Sequence, residues 1–262
     1  MAQREPLYRT GMALVRVLLT VLRVRKTVVG TPNLPDEGGA VLAMTHFGYL
    51  EFALVAGVVW AERRRPIRFL ATKSAFDKPI AGWALRATGQ IPVDLRGGAD
   101  AYTHAIDALR NGQLIGVFPE AGVDASFTVR SLKTGAVRLA REAGVPLVPI
   151  AVWGGQRLLT KNHRIRFFER FGIPVTFMIG APVSTDGEVH EATSRLKDEL
   201  QRLLGYAQAT YPDAGNAQWW QPRHAGGTAP TPDEAVEIDR AIVARREARR
   251  EARRVRRSGQ RG

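Results

Sequence analysis

The chain has 262 residues, 45% of them hydrophobic and 24% charged, which is the composition of a globular protein with a substantial core. It contains no cysteine, so disulfides, thiolate nucleophiles and cysteine metal sites are excluded. Its five histidines have no metal-ligand spacing, and we expect no bound metal. The formal net charge is +13, and residues 239–262 hold ten arginines against three acids. This surplus favours a polyanionic partner, either nucleic acid or an anionic membrane surface.

The first apolar run, residues 12–22, predicts a short amphipathic helix. At about 1.5 Å per residue it covers roughly half of a bilayer core, so it does not span a membrane. Polar residues precede it and no clear small-residue cleavage site follows it, so we expect no cleavable signal peptide. Cations flank the run at Arg9, Arg23, Arg25 and Lys26. The helix either lies in a membrane interface or packs on its own domain, and the sequence favours neither.

After a turn at 31–39, short apolar runs alternate with longer helical stretches. The predicted strands are 40–45, 67–71, 90–93, 114–118, 146–152 and 174–179. The predicted helices between them are 50–62, 79–87, 99–110, 131–143 and 190–204. This alternation predicts an α/β fold with a mostly parallel central sheet flanked by helices. Active residues in such folds lie on loops beyond the carboxyl ends of the strands.

The composition changes beyond about residue 211, where Pro- and Gly-containing segments surround Trp219 and Trp220. Residues 233–257 are rich in Ala, Glu and Arg, which predicts a solvated basic helix that begins behind Thr231-Pro232-Asp233-Glu234. We therefore divide the chain into an N-terminal membrane-associating helix (1–30), the α/β domain (31–210) and a C-terminal extension with an Arg-rich tail (211–262).

The segment 44–51 places His46 and Glu51 at a predicted strand-to-helix junction. Residues five apart point about 140° away from each other in a regular helix, so the two cannot meet on one helical face. They meet if His46 lies in the turn and Glu51 in the first helical turn. The helix dipole favours a carboxylate there, and Glu51 would hold one imidazole nitrogen while the other stays free as a base. The alternative is a hydrogen-bonded histidine with no chemical role.

A second strand end carries Asp94 and Arg96 on a glycine-flexible loop. Arginine suits bidentate phosphate binding, although a surface salt bridge explains the pair equally well. A third strand ends in Phe118 and Pro119, followed by Glu120, which could accept a hydrogen bond from a substrate hydroxyl or be an ordinary loop acid. Because His46, Asp94 and Glu120 each follow a predicted strand in the same way, we predict that these three residues form one site.

A fourth segment, 145–149, is almost wholly apolar and predicts core or the wall of an acyl-chain site. Taken in order, the segments 46–51, 89–96, 118–122 and 145–149 resemble the four blocks of the glycerolipid acyltransferase family, typified by bacterial 1-acyl-glycerol-3-phosphate acyltransferases. The resemblance covers residues 31–182. Residues 219–231 are also similar to the C-terminal ends of actinobacterial members.

The resemblance implies a glycerol-3-phosphate acyltransferase-like fold and transfer of a fatty acyl group from acyl-CoA or acyl carrier protein to the free hydroxyl of 1-acyl-sn-glycerol-3-phosphate, giving phosphatidic acid. His46 would be the general base and Glu51 its orienting acid. The acyl donor would be a co-substrate, with no further cofactor. Backbone amides near Phe47 and Gly48 are the candidate oxyanion donors. The candidate substrate-binding residues are Asp94, Arg96, Phe118, Pro119, Glu120, Gly122, Arg130 and Lys133.

Two departures from the family pattern bear on this function. The family acid of the first block is usually Asp, whereas here it is Glu51, whose extra methylene shifts the carboxylate relative to the imidazole. The arginine of the third block is absent from residues 121–124. If that arginine binds the acceptor phosphate, Arg96, Arg130 or Lys133 must replace it.

The departures leave two alternative functions. In the first, the protein is an acyltransferase whose acceptor is another lysophospholipid or a glycolipid. In the second, the site is catalytically degenerate and the protein binds lipid or nucleic acid. For the enzyme we expect an acyl donor, a lysophospholipid acceptor and an anionic membrane surface as partners, with acyl carrier protein as a candidate donor and no nucleic acid. We expect a monotopic protein on the cytoplasmic face of the cell membrane.

Overall fold

The structure is a computed structural model that describes residues 6–93, 99–120, 122–161, 163–213, 215 and 217–258. Its helices are α1 (Pro6–Val21), α2 (Glu51–Arg63), α3 (Lys73–Phe76), α4 (Pro79–Ala87), α5 (Ala99–Arg110), α6 (Gly135–Ala143), α7 (Val189–Ala209) and α8 (Pro232–Ser258). Its strands are β1 (Arg25–Val29), β2 (Ala40–Met44), β3 (Ile67–Thr72), β4 (Ile91–Val93), β5 (Leu114–Val117), β6 (Leu147–Trp153) and β7 (Pro174–Ile179).

The strands form one sheet in the order β1-β7-β6-β2-β5-β3-β4. Every neighbouring pair is parallel except β6 and β7, which are antiparallel. The central strands β2 and β6 are buried along their whole length, as expected for strands that are covered on both faces. The predicted α/β fold with a mostly parallel sheet is therefore confirmed.

Helices cover both faces of the sheet. On one face, side chains from the α1 region and α2, among them Leu19 and Leu54, join a buried cluster with Leu42 and Met44 of β2. The alternate residues of β2 point the other way, where α6 packs on β2 and α7 packs on β6. The sheet is thus the middle layer of three, and its strand ends remain available for loops that carry polar side chains.

The structure differs from the sequence prediction in two places that bear on the site. The sequence pattern does not predict strand β1, because most of its residues are exposed at the edge of the sheet and the segment lacks an apolar run. Helix α6 begins at Gly135, four residues later than predicted. Residues 131–133 have no regular secondary structure and lie beside the third block, where the backbone N–H of Lys133 donates to the carbonyl of Pro119 at 2.8 Å.

Helix α1 packs on its own domain along one side and exposes apolar side chains on the other. Tyr8 is 2% exposed, and its ring lies 5.3 Å from that of Trp60 between centroids. Its hydroxyl accepts a hydrogen bond from the backbone N–H of Ile67 at 3.1 Å. The exposed side chains are Leu7, Leu14, Val17, Leu18 and Val21. Within the described ranges, no helix combines the length and the apolar character needed to cross a bilayer.

The chain forms two compact units, one of residues 1–124 and 129–214 and the other of residues 125–128 and 215–262. In the second unit, the start of α8 is capped as the sequence predicts. The Thr231 N–H donates to Glu234 at 2.8 Å, and the Glu234 N–H donates to the Thr231 hydroxyl at 3.2 Å. The regional boundaries drawn from the sequence, at 30/31 and 210/211, stay predictions.

Replacing Tyr8 with phenylalanine tests whether α1 is docked on the sheet. The Tyr8→Phe variant leaves the buried N–H of Ile67 without its acceptor, so we expect the free energy of unfolding to fall by about 1–3 kcal/mol in urea denaturation. Tyr206→Phe is the matched control, because Tyr206 is 55% exposed, and we expect a change within about 0.5 kcal/mol. Equal effects of the two variants would contradict the docking of α1.

Candidate active site

The loops that follow β2, β5 and β6 meet at one edge of the sheet. These three strands are adjacent and parallel, so their carboxyl ends lie side by side. The loop after β2 carries His46, the loop after β5 carries Glu120, and the loop after β6 carries Lys161. His46 and Glu120, two of the residues predicted to form one site, are in contact, since the backbone N–H of His46 donates to Glu120 Oε1 at 3.3 Å.

His46 and Glu51 meet across the β2–α2 junction in the predicted way. His46 lies in the turn, and Glu51 is the first residue of α2. The distance between His46 Nδ1 and Glu51 Oε2 is 3.3 Å. The Glu51 side chain is fully buried, whereas the imidazole keeps 17% of its surface exposed. This arrangement directs Nδ1 towards the acid and leaves Nε2 as the nitrogen available to a ligand.

The backbone around Phe47 holds the Glu51 carboxyl in place. The N–H of Phe47 donates to Oε2 at 2.8 Å, and the N–H of Gly48 also bonds to this carboxyl group. The expectation that amides near Phe47 and Gly48 stabilise an oxyanion is therefore wrong, because these amides are used by Glu51. The other carboxyl oxygen, Oε1, has no hydrogen-bond partner among the described residues.

The loop after β6 fixes the turn that carries His46. The Thr160 hydroxyl donates to the carbonyl of Phe47 at 2.6 Å, and the Tyr49 N–H donates to the carbonyl of Leu159 at 2.9 Å. Gly48 lies so close to this loop that a Cβ there would stand 2.9 Å from the carbonyl oxygen of Gly155. A larger residue at position 48 would therefore displace the turn from the loop.

Phe118 supports the imidazole from the side. Its ring stacks on that of His46, with 4.0 Å between centroids and 25° between planes. Phe69 stacks on Phe118 at 6.0 Å, and Phe52 meets Phe69 at 5.9 Å. Phe118, predicted as a substrate-binding residue, thus begins an aromatic row that runs from the imidazole to the exposed ring of Phe52. The row forms an apolar wall beside the base.

Burial disfavours charge on both members of the pair. Burial, together with the smaller effect of the positive charge of Lys161, lowers the pKa of His46 to about 4. Burial also raises the pKa of Glu51, against the two backbone N–H groups that favour its ionised form. His46 is consequently a neutral imidazole at pH 7, which is the form that can accept a proton.

Two more acids line the site. Burial, together with the smaller effect of the neighbouring charge of Asp124, raises the pKa of Glu120 to about 8. Asp124 is fully buried, forms an ion pair with Arg130, and donates its backbone N–H to the carbonyl of His46 at 2.8 Å. The third block therefore clamps the backbone of His46 on both its N–H and its carbonyl.

Lys161 is a candidate functional residue that the sequence did not reveal. Its ammonium donates to the carbonyl of Val123, in the third block, and its charge acts on His46. The lysine lies far along the chain from both residues, outside all four family-like segments, so no local pattern points to it. Its approach to the site depends on the path of the loop after β6, which only the fold determines.

The remaining predicted residues have different positions. Arg130, a candidate phosphate ligand, is engaged with Asp124. Lys133 is exposed and Pro119 is buried, and the two are linked through their backbones. Gly122 is half-buried, with open space where a Cβ would stand. Asp94 and Arg96 lie outside the described residues.

No group of three or more His, Cys, Asp or Glu side chains in the described part of the chain could hold a metal ion.

Comparisons with known proteins give the family. A family model described as Acyltransferase matches residues 25–153. The 1-acyl-sn-glycerol-3-phosphate acyltransferase of Bacillus subtilis is 32% identical over 161 residues, which cover 60% of this chain and 77% of that protein. The chain belongs to the 1-acyl-sn-glycerol-3-phosphate acyltransferase family. The matched region contains the His46–Glu51 junction and the clamp around it.

Further members of this acyltransferase family agree with the assignment. The 1-acyl-sn-glycerol-3-phosphate acyltransferase of Borreliella burgdorferi is 24% identical over 195 residues, covering 73% of this chain and 76% of that protein. The crystal structure of the 1-acyl-sn-glycerophosphate acyltransferase PlsC from Thermotoga maritima is similar with a TM-score of 0.65 and 22% identity, covering 79% of this chain and 81% of that one. This likeness supports the acyltransferase fold.

The raised pKa of Glu120 makes a prediction about stability. The pKa of this carboxyl rises from 4.5 in the unfolded chain to about 8 in the folded protein. Its contribution to stability is therefore fully present below pH 4.5 and is lost as the pH rises through the folded-state pKa of about 8. Glu120→Gln keeps the acceptor for the His46 N–H and removes the ionisation. We expect the variant to match the wild type near pH 4 and to be more stable by about 1–3 kcal/mol at pH 9.

Urea denaturation at a series of pH values measures this difference. Glu188→Gln, at an exposed position before α7, is the control and should show no such growth with pH. A Glu120→Gln advantage that stays constant from pH 4 to pH 9 would contradict the raised pKa.

Proposed function

We propose that the protein transfers a fatty acyl group from acyl-CoA or acyl carrier protein to the free hydroxyl of 1-acyl-sn-glycerol-3-phosphate, giving phosphatidic acid. The observation that carries this proposal is the contact between His46 and the buried Glu51, at the end of a strand, in a chain of this family. The relatives from Bacillus subtilis and Borreliella burgdorferi carry the name of this activity.

In this mechanism His46 is the general base. Its Nδ1 faces Glu51, so Nε2 takes the proton of the acceptor hydroxyl while the oxygen attacks the thioester carbonyl carbon. The tetrahedral adduct then collapses, the carbon–sulfur bond breaks, and the imidazolium returns the proton to the leaving thiolate. The products are an ester and a free thiol. For this step Glu51 is an ionised carboxylate, the form that its two backbone N–H donors favour, so it accepts the Nδ1–H, orients the ring and stabilises the imidazolium as the acid of a Ser-His-Asp triad does.

Lys161 is our candidate for binding the acceptor phosphate. The family arginine is missing from the third block, and Lys161 places its ammonium against the carbonyl of Val123 in that block. Arg130 already pairs with a buried carboxylate. A bound phosphate would offset the lysine charge that lowers the pKa of His46. Acceptor binding would then make the imidazole a stronger base at the moment when it is needed.

The other predicted residues keep supporting roles in the proposal. Phe118 and the aromatic row beside it would flank the acyl chain or the thioester, and Glu120 would position the loop of the base through the N–H of His46. Asp94, Arg96, Gly122 and Lys133 stay candidate substrate contacts.

The proposed location is the cytoplasmic face of the cell membrane, with the protein held on anionic lipid. Both substrates carry fatty chains, and α1 exposes a row of apolar side chains. A groove of about 490 Å³ between α1 and α2 has apolar side chains on its floor and cations in its lining. The cations are Arg9, Arg16, Lys26 and Arg64. This combination suits an anionic amphiphile.

Replacing His46 with alanine tests the proposed base. We expect thiol release from acyl-CoA by the detergent-solubilised wild type to require 1-acyl-sn-glycerol-3-phosphate, and His46→Ala to lower kcat by about 10²- to 10⁴-fold. His104→Ala, on the exposed side of α5, is the matched control and should retain the wild-type rate.

A panel of lysophospholipid and glycolipid acceptors, with acyl-CoA and acyl carrier protein as donors, separates the alternatives. A higher kcat/KM with another acceptor would correct the substrate and keep the mechanism. An absence of thiol release from the wild type with every acceptor and donor would contradict the enzyme proposal and leave a lipid-binding protein.

Replacing Lys161 with methionine tests phosphate binding. We expect the KM for 1-acyl-sn-glycerol-3-phosphate to rise about 10- to 100-fold, because a hydrogen bond between charged groups is lost, with a smaller change in kcat. The acid limb of the kcat/KM profile should also move to higher pH, because removing the cation raises the pKa of His46. Lys197→Met on α7 is the control. A fall in kcat with KM unchanged would instead assign Lys161 to the transition state.

A further inference from the structure

An aromatic cluster outside the candidate site is exposed to solvent. Phe167, Phe168 and Phe171 lie on and just after a single 3₁₀ turn between β6 and β7, and they are 58%, 85% and 38% exposed. The ring of Phe167 contacts those of Phe168 and Phe171 edge to face, with centroids 5.7 and 5.3 Å apart. Large apolar side chains in an exposed group of this kind mark an interaction surface.

The same turn is basic. Arg164 and Arg166 are exposed beside the phenylalanines, and Arg170 is half-buried with them. The acid of the turn, Glu169, is used within it, since it accepts the backbone N–H of Arg166 at 3.1 Å. Residues 164–171, which we term the Phe turn, therefore combine three exposed aromatic rings with a surplus of positive charge. Aromatic and basic side chains together suit the interface of an anionic bilayer.

The Phe turn adjoins the end of α1. Directly after Phe171, the N–H of Gly172 donates to the carbonyl of Leu22 at 2.8 Å, and the N–H of Arg25 donates to the carbonyl of Ile173 at 3.0 Å. The last turns of α1 present Leu18 and Val21 to solvent. These backbone bonds fix the Phe turn next to the exposed apolar side chains of the helix.

We propose that the Phe turn inserts into the interface of an anionic membrane together with the exposed side of α1, so that the protein is held at two elements that are distant in sequence. Phe167 and Phe168 enter the lipid, while Arg164 and Arg166 bind phosphate head groups. This inference goes beyond the proposed acyl transfer, because the Phe turn lies outside the candidate site. It rests on the proposed membrane location.

Two attachment points have a structural consequence that one amphipathic helix lacks. A helix alone can rotate about its own axis on the lipid surface, whereas a helix and a turn joined by backbone hydrogen bonds define a plane. The orientation of the domain on the bilayer is then fixed, and with it the direction in which the edge that carries His46 faces.

The absence of cysteine permits a direct test with single labels. Phe168→Cys carries an environment-sensitive fluorophore at the most exposed ring, and Val17→Cys carries it on the exposed side of α1. Ser194→Cys is the control, because Ser194 is exposed on α7, which packs on the opposite face of the sheet. Vesicles of phosphatidylglycerol and phosphatidylcholine, and vesicles of phosphatidylcholine alone, are added to each labelled protein.

We expect a blue shift at positions 168 and 17 with the anionic vesicles and none at position 194. A shift at 17 alone would overturn the proposal and leave α1 as the attachment. Silence at all three positions would overturn both the proposal and the membrane location, whereas acyl transfer to detergent-dispersed acceptor would be unaffected. Shifts at all three positions would indicate non-specific adsorption of the labelled protein to the vesicles and would overturn the proposal. A shift at 168 with acyl carrier protein but not with vesicles would overturn it in favour of a protein partner.

A double variant measures the contribution of the rings. We expect Phe167→Ser/Phe168→Ser to weaken partitioning onto anionic vesicles by at least about 10-fold in a flotation assay, with unchanged kcat on detergent-dispersed acceptor. Tyr206→Ser, an exposed aromatic residue on α7, is the matched control and should partition like the wild type. Equal partitioning of the double variant and the wild type would overturn the proposal.

Discussion

The carboxyl group of Glu51 is fully buried at the start of α2, and the site is built around the cost of that burial. The N–H groups of Phe47 and Gly48 bond to the group, and His46 Nδ1 faces it at 3.3 Å. Because those amides are directed at the acid, the turn after β2 has one conformation that satisfies it. The imidazole position follows from this turn, with Phe118 stacked on its side. A pair of general base and orienting acid like that of a serine protease, His46 and Glu51, is thereby assembled from six consecutive residues of the chain.

The second constraint on the site is a balance of charge. Glu120 and Asp124 lie beside His46 with Glu51, and each is buried. Arg130 neutralises Asp124, and Lys161 brings a cation from the loop after β6. The lysine lowers the pKa of His46 in the ligand-free protein, and a phosphate placed on it would reverse that effect. The departure from the family pattern in the third block is therefore matched by a cation from a different loop.

Sequence reasoning reached the fold class and the His46–Glu51 geometry because both depend on local pattern. The alternation of apolar runs gave the buried strands, and the spacing of five allowed only a turn followed by a helix start. It missed β1, whose exposed edge position leaves no apolar run. It also missed Lys161 and the use of the Phe47 and Gly48 amides by Glu51, because these depend on how distant loops pack. The three phenylalanines of the Phe turn are visible in the sequence, but only their exposure in the structure shows that they do not belong to the hydrophobic core.

We expect burial and the Lys161 charge to keep the His46 imidazole neutral in the resting protein. Nuclear magnetic resonance of ¹⁵N-labelled histidine, with the His46 signals assigned by comparison with His46→Gln, follows the protonation of this ring directly as the pH is lowered. The account predicts that the ring titrates with a pKa of about 4. A pKa of His46 at or above 6.5, the ordinary value, would contradict this expectation, because the ring would then be either solvated or held as an imidazolium in the resting protein.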